Sequence, residues 1–193
     1  MSSTAPLYPA YLSVRPEGPS ASIPHPAFDV VEPGTRAKPS KPRLFAHPEL
    51  RLKNLTPQIG TELRGIQLTK LNEEELDEVA LLAAERGSLS SQRDQDLKDA
   101  GFQKQRTPAR HFGLLHRHAS MGYPAGTSPE FHVIYADEQV GSIRDLPGPH
   151  TNYDLWHVDQ TWEIHTPSTT FFWVLEIPQS GGGDTAFSSL ISV

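Results

Sequence analysis

The stretch that decides the fold is residues 169–177, which read TTFFWVLEI. Its β-branched and aromatic side chains place apolar groups on both faces of an extended chain, which predicts a buried strand at the centre of a sheet. Residues 131–135 (FHVIY) predict a second strand, and residues 59–68 alternate like a third. A turn over residues 178–183 leads to a further extended segment at 185–187.

The first half of the chain carries the helical signals. Asn72 predicts an N-cap, Glu75 stands at the capping-box position, and Gly87 predicts the end of the same helix. A second helix is predicted over residues 98–112, where Pro108 should kink or split it. Helices in the first half and strands in the second half indicate an α+β domain built on a β-sandwich or jelly roll.

Composition limits the partners and the domain plan. Ten of the 18 prolines fall within residues 1–48, which predicts a disordered leader, followed by one domain over residues 49–193. The formal charge of −6 argues against nucleic acid or an anionic membrane as the main partner. The chain has no cysteine, which excludes thiolate metal sites and thiol nucleophiles. It also lacks a long apolar run and a signal-peptide pattern, so we expect a cytoplasmic protein.

Residues 156–161 (WHVDQT) place His157 and Asp159 two residues apart. Side chains at this spacing share one face of an extended chain, so an imidazole nitrogen and a carboxylate oxygen could reach one metal ion. The pair forms two thirds of the 2-His-1-carboxylate triad of non-haem Fe(II) oxygenases. The alternative is a half-buried His157 hydrogen-bonded to a neighbouring carboxylate, and the triplet by itself favours that alternative.

Several further motifs accompany this pair in a fixed order. They are residues 59–68 (IGTELRGIQL), 93–95 (RDQ), 112–118 (FGLLHRH), 122–124 (GYP), 156–162 (WHVDQTW) and 182–185 (GGDT). Together they resemble the taurine/sulfonate dioxygenases, the TauD/TfdA family of Fe(II)- and 2-oxoglutarate-dependent enzymes, and the linking segments are most similar to fungal members. The resemblance covers about residues 52–187 and implies a double-stranded β-helix (jelly roll) with flanking helices.

The resemblance implies a role for each matching position. His157 and Asp159 would bind Fe(II), and Thr185 would bind 2-oxoglutarate through its hydroxyl. His118 matches a histidine that contacts the sulfonate of the substrate, and Tyr123 matches a tyrosine of the substrate site. No catalytic residue beyond the metal site is implied. The implied reaction uses O2 to hydroxylate the carbon next to the sulfonate of taurine or a related alkyl sulfonate, which releases sulfite and an aldehyde.

The sequence departs from the family pattern at several places. Tyr153 stands in the substrate site where the family has an asparagine, so the identity of the substrate stays open, and residues 88–92 (SLSSQ) are too polar for the core strand expected there. The family's second histidine ligand and its 2-oxoglutarate-binding arginine have no counterpart up to Val193. We therefore expect an N-terminal portion of the catalytic domain, with little or no turnover by itself. Five more histidines lack metal-ligand spacing, and most of them are expected in solvent: His111, His116, His132, His150 and His165.

Two other functions remain open at this point. The chain could be a non-catalytic remnant that binds metal weakly or binds a partner protein, since exposed sheet edges favour association, including association into homo-oligomers. A zinc hydrolase fits less well, because no general base stands at a recognisable spacing from the His-Asp pair. Iron-dependent formation of succinate separates the dioxygenase from both alternatives.

Overall fold

The computed structural model of the protein describes residues 7–14, 25–91, 95–118, 122–135, 156–177 and 185–191. The chain divides into two compact units, which are described separately below. The first contains Met1–Phe28 and Leu115–Thr170, and the second contains Asp29–Leu114 and Phe171–Val193. Within the described ranges, no helix is long and apolar enough to cross a membrane.

Five short strands and two α-helices make up the regular structure of the described residues, together with four 3₁₀ turns. In chain order the strands and helices are β1 (Ser13–Val14), β2 (Arg51–Asn54), β3 (Thr61–Arg64), α1 (Glu73–Arg86), β4 (Leu89–Ser90), α2 (Phe102–His111) and β5 (Tyr123–Pro124). The 3₁₀ turns are Pro9–Tyr11, Pro33–Arg36, Leu44–Ala46 and Leu68–Lys70. The mixture of helices and small sheets agrees with an α+β class.

The helix α1 begins and ends where the sequence predicts. The backbone N–H of Glu75 donates to Asn72 Oδ1 at 3.0 Å, and the backbone N–H of Asn72 donates to Glu75 Oε2 at 2.9 Å, which completes a capping box. Gly87 follows the helix with φ of 67°, a conformation that disfavours residues with a Cβ. The capping prediction is therefore confirmed at both ends.

The sheet of the second unit contains β2, β3 and β4 in that order. β2 pairs antiparallel with β3, and β3 pairs parallel with β4, with Thr61 opposite Leu89. The prediction of a strand within residues 59–68 is confirmed over Thr61–Arg64. Residues 88–92, which are too polar for a core strand, contain only the short edge strand Leu89–Ser90, whose two residues are half-buried and exposed. A two-residue strand needs little apolar surface, and Leu89 supplies it by packing against the core.

A small hydrophobic core lies between the sheet and α1. Its buried members are Leu44, Leu63, Ile66, Val79 and Leu82. Leu44 belongs to the predicted leader, yet none of its surface is exposed. This residue therefore helps to close the core of the second unit.

The prediction of a disordered leader over residues 1–48 is wrong for residues 29–48. The backbone N–H of Leu44 donates to the buried Glu78 carboxylate of α1 at 2.6 Å. Lys41 Nζ lies 2.6 Å from Glu85 Oε2, and Arg36 pairs with Asp77. The segment follows the surface of α1 through two 3₁₀ turns, so its burial has neither a helical nor a strand period. Prolines also restrict the conformations of the unfolded chain, and this lowers the entropic cost of ordering the segment.

The described leader residues of the first unit are ordered as well. Strand β1 pairs antiparallel with β5, with Val14 opposite Tyr123. The His25 side-chain nitrogen Nε2 lies 2.9 Å from the Leu115 carbonyl, and the Phe28 backbone N–H donates to His165 Nε2 at 2.9 Å. These contacts are distant in sequence, so local patterns gave no sign of them.

Pro108 neither splits nor ends α2. The helix runs from Phe102 to His111 with Pro108 inside it and buried. It is shorter than the predicted 98–112 stretch. A proline removes one backbone hydrogen bond, and its buried ring here contributes apolar contact in exchange.

The two predicted strands of the second half are not strands in the structure. Residues 131–135 and 169–177 have no ladder partner within the described residues. Burial alternates along residues 171–175: Phe171, Trp173 and Leu175 are half-buried, whereas Phe172 and Val174 are exposed. The segment has the side-chain alternation of a strand, but no described strand pairs with it. The expectation of central burial is therefore wrong for these residues.

Candidate metal and substrate site

His157 and Asp159 come together in the first unit. His157 Nε2 lies 3.1 Å from Asp159 Oδ1, and the two side chains are 72% and 59% exposed. Residues 156–158 have no regular structure, and a turn begins at Asp159. The sequence predicted the meeting of these side chains, but it attributed the meeting to an extended strand, and that part is wrong.

The separation of the two donor atoms suits one metal ion. Two bonds of about 2.1 Å at a right angle place their donor atoms about 3.0 Å apart. A neutral imidazole and a carboxylate are also two of the three donors of the Fe(II) facial triad. Among the described residues, no group of three or more His, Cys, Asp or Glu side chains could hold a metal. The described part of the chain thus offers two positions of such a site.

The turn after Asp159 contacts two histidines far away in sequence. Gln160 Nε2 lies 3.0 Å from His118 Nε2, and Glu163 Oε2 lies 2.9 Å from His116 Nε2. The backbone N–H of Glu163 donates to the Gln160 carbonyl at 3.1 Å, which closes the turn. Two side-chain contacts thereby join the segment that carries His157 and Asp159 to the segment that carries His116 and His118.

His132 completes this histidine cluster. Its ring centroid lies 4.6 Å from that of His118, and burial followed by the neighbouring His118 charge lowers the pKa of His132. Burial, followed by the His116 charge, also lowers the pKa of His118, although Asp159 and Glu163 act in the opposite direction. Burial therefore disfavours the charged form of both imidazoles.

The remaining sequence-predicted site residues fall in different places. Tyr123 lies in β5, where it is half-buried opposite Val14 of β1. Thr185 is exposed and belongs to the second unit. Tyr153 and His150 lie outside the described residues. The predictions of Tyr123 and Tyr153 as substrate contacts and of Thr185 as a 2-oxoglutarate contact therefore stay predictions, as does the expectation of His150 in solvent.

Several histidines expected in solvent have partners instead. His116 and His132 belong to the cluster above, His111 lies 2.7 Å from Asp77 Oδ1, and His165 stacks on Phe28. Sequence reasoning also missed Gln160 and Glu163. The sequence did contain one signal, because Gln160 and Glu163 follow Asp159 three residues apart and can therefore lie on one turn.

The 193-residue sequence matches known proteins over most of its length. The family described as "Taurine catabolism dioxygenase TauD, TfdA family" matches residues 51–193. Alpha-ketoglutarate-dependent dioxygenase cnsM of Penicillium expansum is 40% identical over 185 residues, which cover 96% of this chain and 50% of the relative. The alpha-ketoglutarate-dependent sulfonate dioxygenase of Saccharomyces cerevisiae is 37% identical over 163 residues, covering 83% of this chain and 39% of the relative.

The chain thus spans about half the length of the curated relatives that it matches most extensively. No solved structure matches it. The motif-based resemblance, including its likeness to fungal proteins, is confirmed by these comparisons.

Proposed function

The chain belongs to the taurine catabolism dioxygenase (TauD/TfdA) family, and from that premise we propose that it forms part of an Fe(II)- and 2-oxoglutarate-dependent dioxygenase acting on an alkyl sulfonate. The observation that carries the proposal is the pair of donor atoms on His157 and Asp159, 3.1 Å apart, within the matched residues. The sulfonate class is supported by the printed name of the Saccharomyces cerevisiae relative. Taurine itself is one candidate within that class.

The residues of this chain have separate tasks in the proposed reaction. His157 and Asp159 would hold the metal. His118, which is half-buried and contacts Gln160, would donate a hydrogen bond to the sulfonate and orient the carbon to be hydroxylated. Thr185 binds 2-oxoglutarate through its hydroxyl. When bound, Fe(II) and 2-oxoglutarate supply the oxidising chemistry with O2, and the protein supplies position and shielding.

The jelly-roll fold expected for the family is part of the same proposal. The third iron ligand and the arginine partner of 2-oxoglutarate would then come from the remainder of a protein as long as its relatives.

Succinate release tests the proposed activity. Purified chain is incubated with Fe(II), ascorbate, 2-oxoglutarate and either taurine or a longer alkyl sulfonate. The same assay is run on a chimera in which the chain is followed by the C-terminal half of the Penicillium expansum relative. We expect little turnover by the chain and iron-dependent turnover by the chimera, abolished by His157→Ala. A soluble, folded chimera that releases no succinate with any sulfonate would overturn the proposal.

A second candidate function is a non-catalytic module that binds a partner protein. The exposure of Phe172, Val174 and Ile177 favours it, because an apolar surface of this kind suits association. The chimera separates the two functions, since a protein-binding module releases no succinate whichever segment follows it. Metal titration adds a second criterion: the dioxygenase proposal expects Fe(II) or Co(II) binding that depends on both His157 and Asp159.

A further inference from the structure

Gln160 has an unusual backbone for its residue type. Its φ is 53°, in the left-handed region that residues with a Cβ rarely adopt. The residue directly follows the metal-binding Asp159, and the Glu163 backbone N–H holds its carbonyl at 3.1 Å. Strained residues of this kind persist where surrounding contacts fix them, and they concentrate at functional sites. The conformation therefore prompts the question of what the Gln160 side chain achieves there.

The side chain of Gln160 reaches His118 across 42 residues of sequence. Its amide nitrogen Nε2 lies 3.0 Å from His118 Nε2. With the Gln160 amide in this orientation its nitrogen donates and His118 Nε2 accepts, which assigns the ring proton to Nδ1. The position of His118 is also set by its backbone N–H, which donates to the Pro129 carbonyl at 3.1 Å, and by the His132 ring that packs against it.

Glu163 makes the equivalent contact to the neighbouring histidine. Its carboxylate lies 2.9 Å from His116 Nε2, and this carboxylate is mostly shielded from solvent. Gln160 and Glu163 are three residues apart on one turn, and His116 and His118 are two residues apart in a segment without regular structure. The turn that starts at the proposed metal ligand Asp159 therefore contacts the histidine segment twice. The Gln160 amide contacts His118, and the Glu163 carboxylate contacts His116.

We propose that Gln160 is a positioning residue that fixes His118 in the substrate site as a neutral imidazole protonated on Nδ1, with the Glu163–His116 contact as a second anchor. The proposal rests on the proposed function for the role of His118 in sulfonate binding. Its structural part, the tautomer, does not depend on turnover. The consequence for recognition is that the sulfonate meets an oriented N–H donor next to the metal rather than an imidazolium cation.

Nitrogen-15 NMR of the histidine-labelled chain tests the tautomer directly. The long-range ring correlations distinguish Nδ1–H, Nε2–H and doubly protonated imidazoles, and loss of one set of signals in His118→Gln assigns His118. We expect the Nδ1–H form in the wild-type chain at pH 7.5. Gln160→Glu replaces the donor by an acceptor, so we expect Nε2 to become protonated. Gln160→Asn keeps a residue that tolerates the left-handed backbone but shortens the amide, so a mixture of tautomers is expected.

A matched control is available on the other unit. Gln103→Glu makes the same chemical change at an exposed position of α2, and it should leave the His118 signals unchanged. An Nε2–H signature in the wild-type chain, or a His118 signature that Gln160→Glu does not alter, would overturn the proposal.

The active chimera supplies the functional readout. Loss of one hydrogen bond that orients the substrate donor should raise the KM for the sulfonate about tenfold in Gln160→Asn, while kcat changes less than threefold. An equal fall in kcat with unchanged KM would argue against a positioning role. If the wild-type chimera has no activity, the proposed function fails, whereas the NMR result still decides the tautomer.

Discussion

Residues 33–46 and residues 156–163 are both irregular segments, but they are held in opposite ways. The first segment buries Leu44 completely in a core and places Pro33 against α1. The second segment carries mostly exposed side chains, and the His157 side chain is 72% exposed. Polar contacts from Gln160 and Glu163 attach this segment to His118 and His116. Irregular backbone therefore fills a core in one place and presents the candidate metal donors His157 and Asp159 to solvent in another.

The difference teaches where substitutions should affect folding and where they should affect chemistry. An irregular segment that fills a core contributes free energy through burial and close packing. A segment that presents donors to solvent leaves room for a metal and a substrate, and so contributes little to stability. Four substitutions test this division, and each is measured as the change in free energy of unfolding from urea titrations.

The largest effect is expected from Leu44→Ala. Leu44 is fully buried against Leu63, Ile66 and Val79, and removing its side chain should cost about 2–5 kcal/mol of unfolding free energy. The matched substitution in the other segment is Trp162→Ala, where the removed side chain is 78% exposed. That variant should stay within about 0.5 kcal/mol of wild type. Similar losses in both variants would break the comparison.

Gly34→Ala should have the next largest effect. A Cβ added at Gly34 would lie 2.9 Å from the Leu81 backbone nitrogen and 3.0 Å from its Cα. Both atoms belong to the backbone of α1, so they cannot move aside as a flexible side chain would. Overpacking of this kind costs about 1–3 kcal/mol. The control is Gly126→Ala, where no atom lies within 4 Å of the new Cβ but φ is 75°, so any loss there reports backbone strain alone.

Asp77→Asn tests the charged attachment of the first segment to α1. Burial by itself would raise the pKa of Asp77, but hydrogen bonds from Arg36 and His111, together with their charges, lower it below its ordinary value. Arg36 is 45% exposed, so we discount the interaction for solvent and expect a loss of about 1–2 kcal/mol at pH 7.

The pH dependence of the same variant gives a second criterion. A carboxyl group with a lowered pKa in the folded state stabilises the protein fully above its unfolded pKa of about 3.9. This contribution is lost as the pH falls below that value and through the folded pKa. Wild type should therefore lose its advantage over Asp77→Asn on acidification. A difference between the two proteins that stays constant from pH 6 to pH 3 would contradict the assignment.

The sequence predicted those features that depend on neighbouring residues and missed those that depend on distant ones. The ends of α1 follow from Asn72, Glu75 and Gly87, because a helix cap is a local structure. The order in residues 33–46 was missed because its contacts reach residues of α1 and leave no period in the sequence. The Gln160–His118 and Glu163–His116 contacts span 42 and 47 residues, beyond the reach of pattern reasoning.

The His157–Asp159 pair lies between these two cases. Its two residues are close in sequence, and their meeting was predicted, but the turn that brings them together was not. The central strand over residues 169–177 was predicted from side chains alone. A strand also needs a neighbour for its backbone groups, and the described residues supply none.

The smallest effect on stability is expected from His157→Ala. The His157 and Asp159 side chains are 72% and 59% exposed, and even a charged pair this exposed contributes only between about 0 and 1 kcal/mol. In metal-free buffer with EDTA, we therefore expect the urea midpoint to move by less than the equivalent of about 0.5 kcal/mol, with an unchanged slope. The same variant should lose Co(II) binding, because one of its two donors is gone. A loss above about 1 kcal/mol without metal would show that the pair holds the turn at Asp159, and the segment would then resemble residues 33–46 rather than differ from them. If stability is unchanged and metal binding is lost, the two side chains serve to bind the ion and do not stabilise the fold.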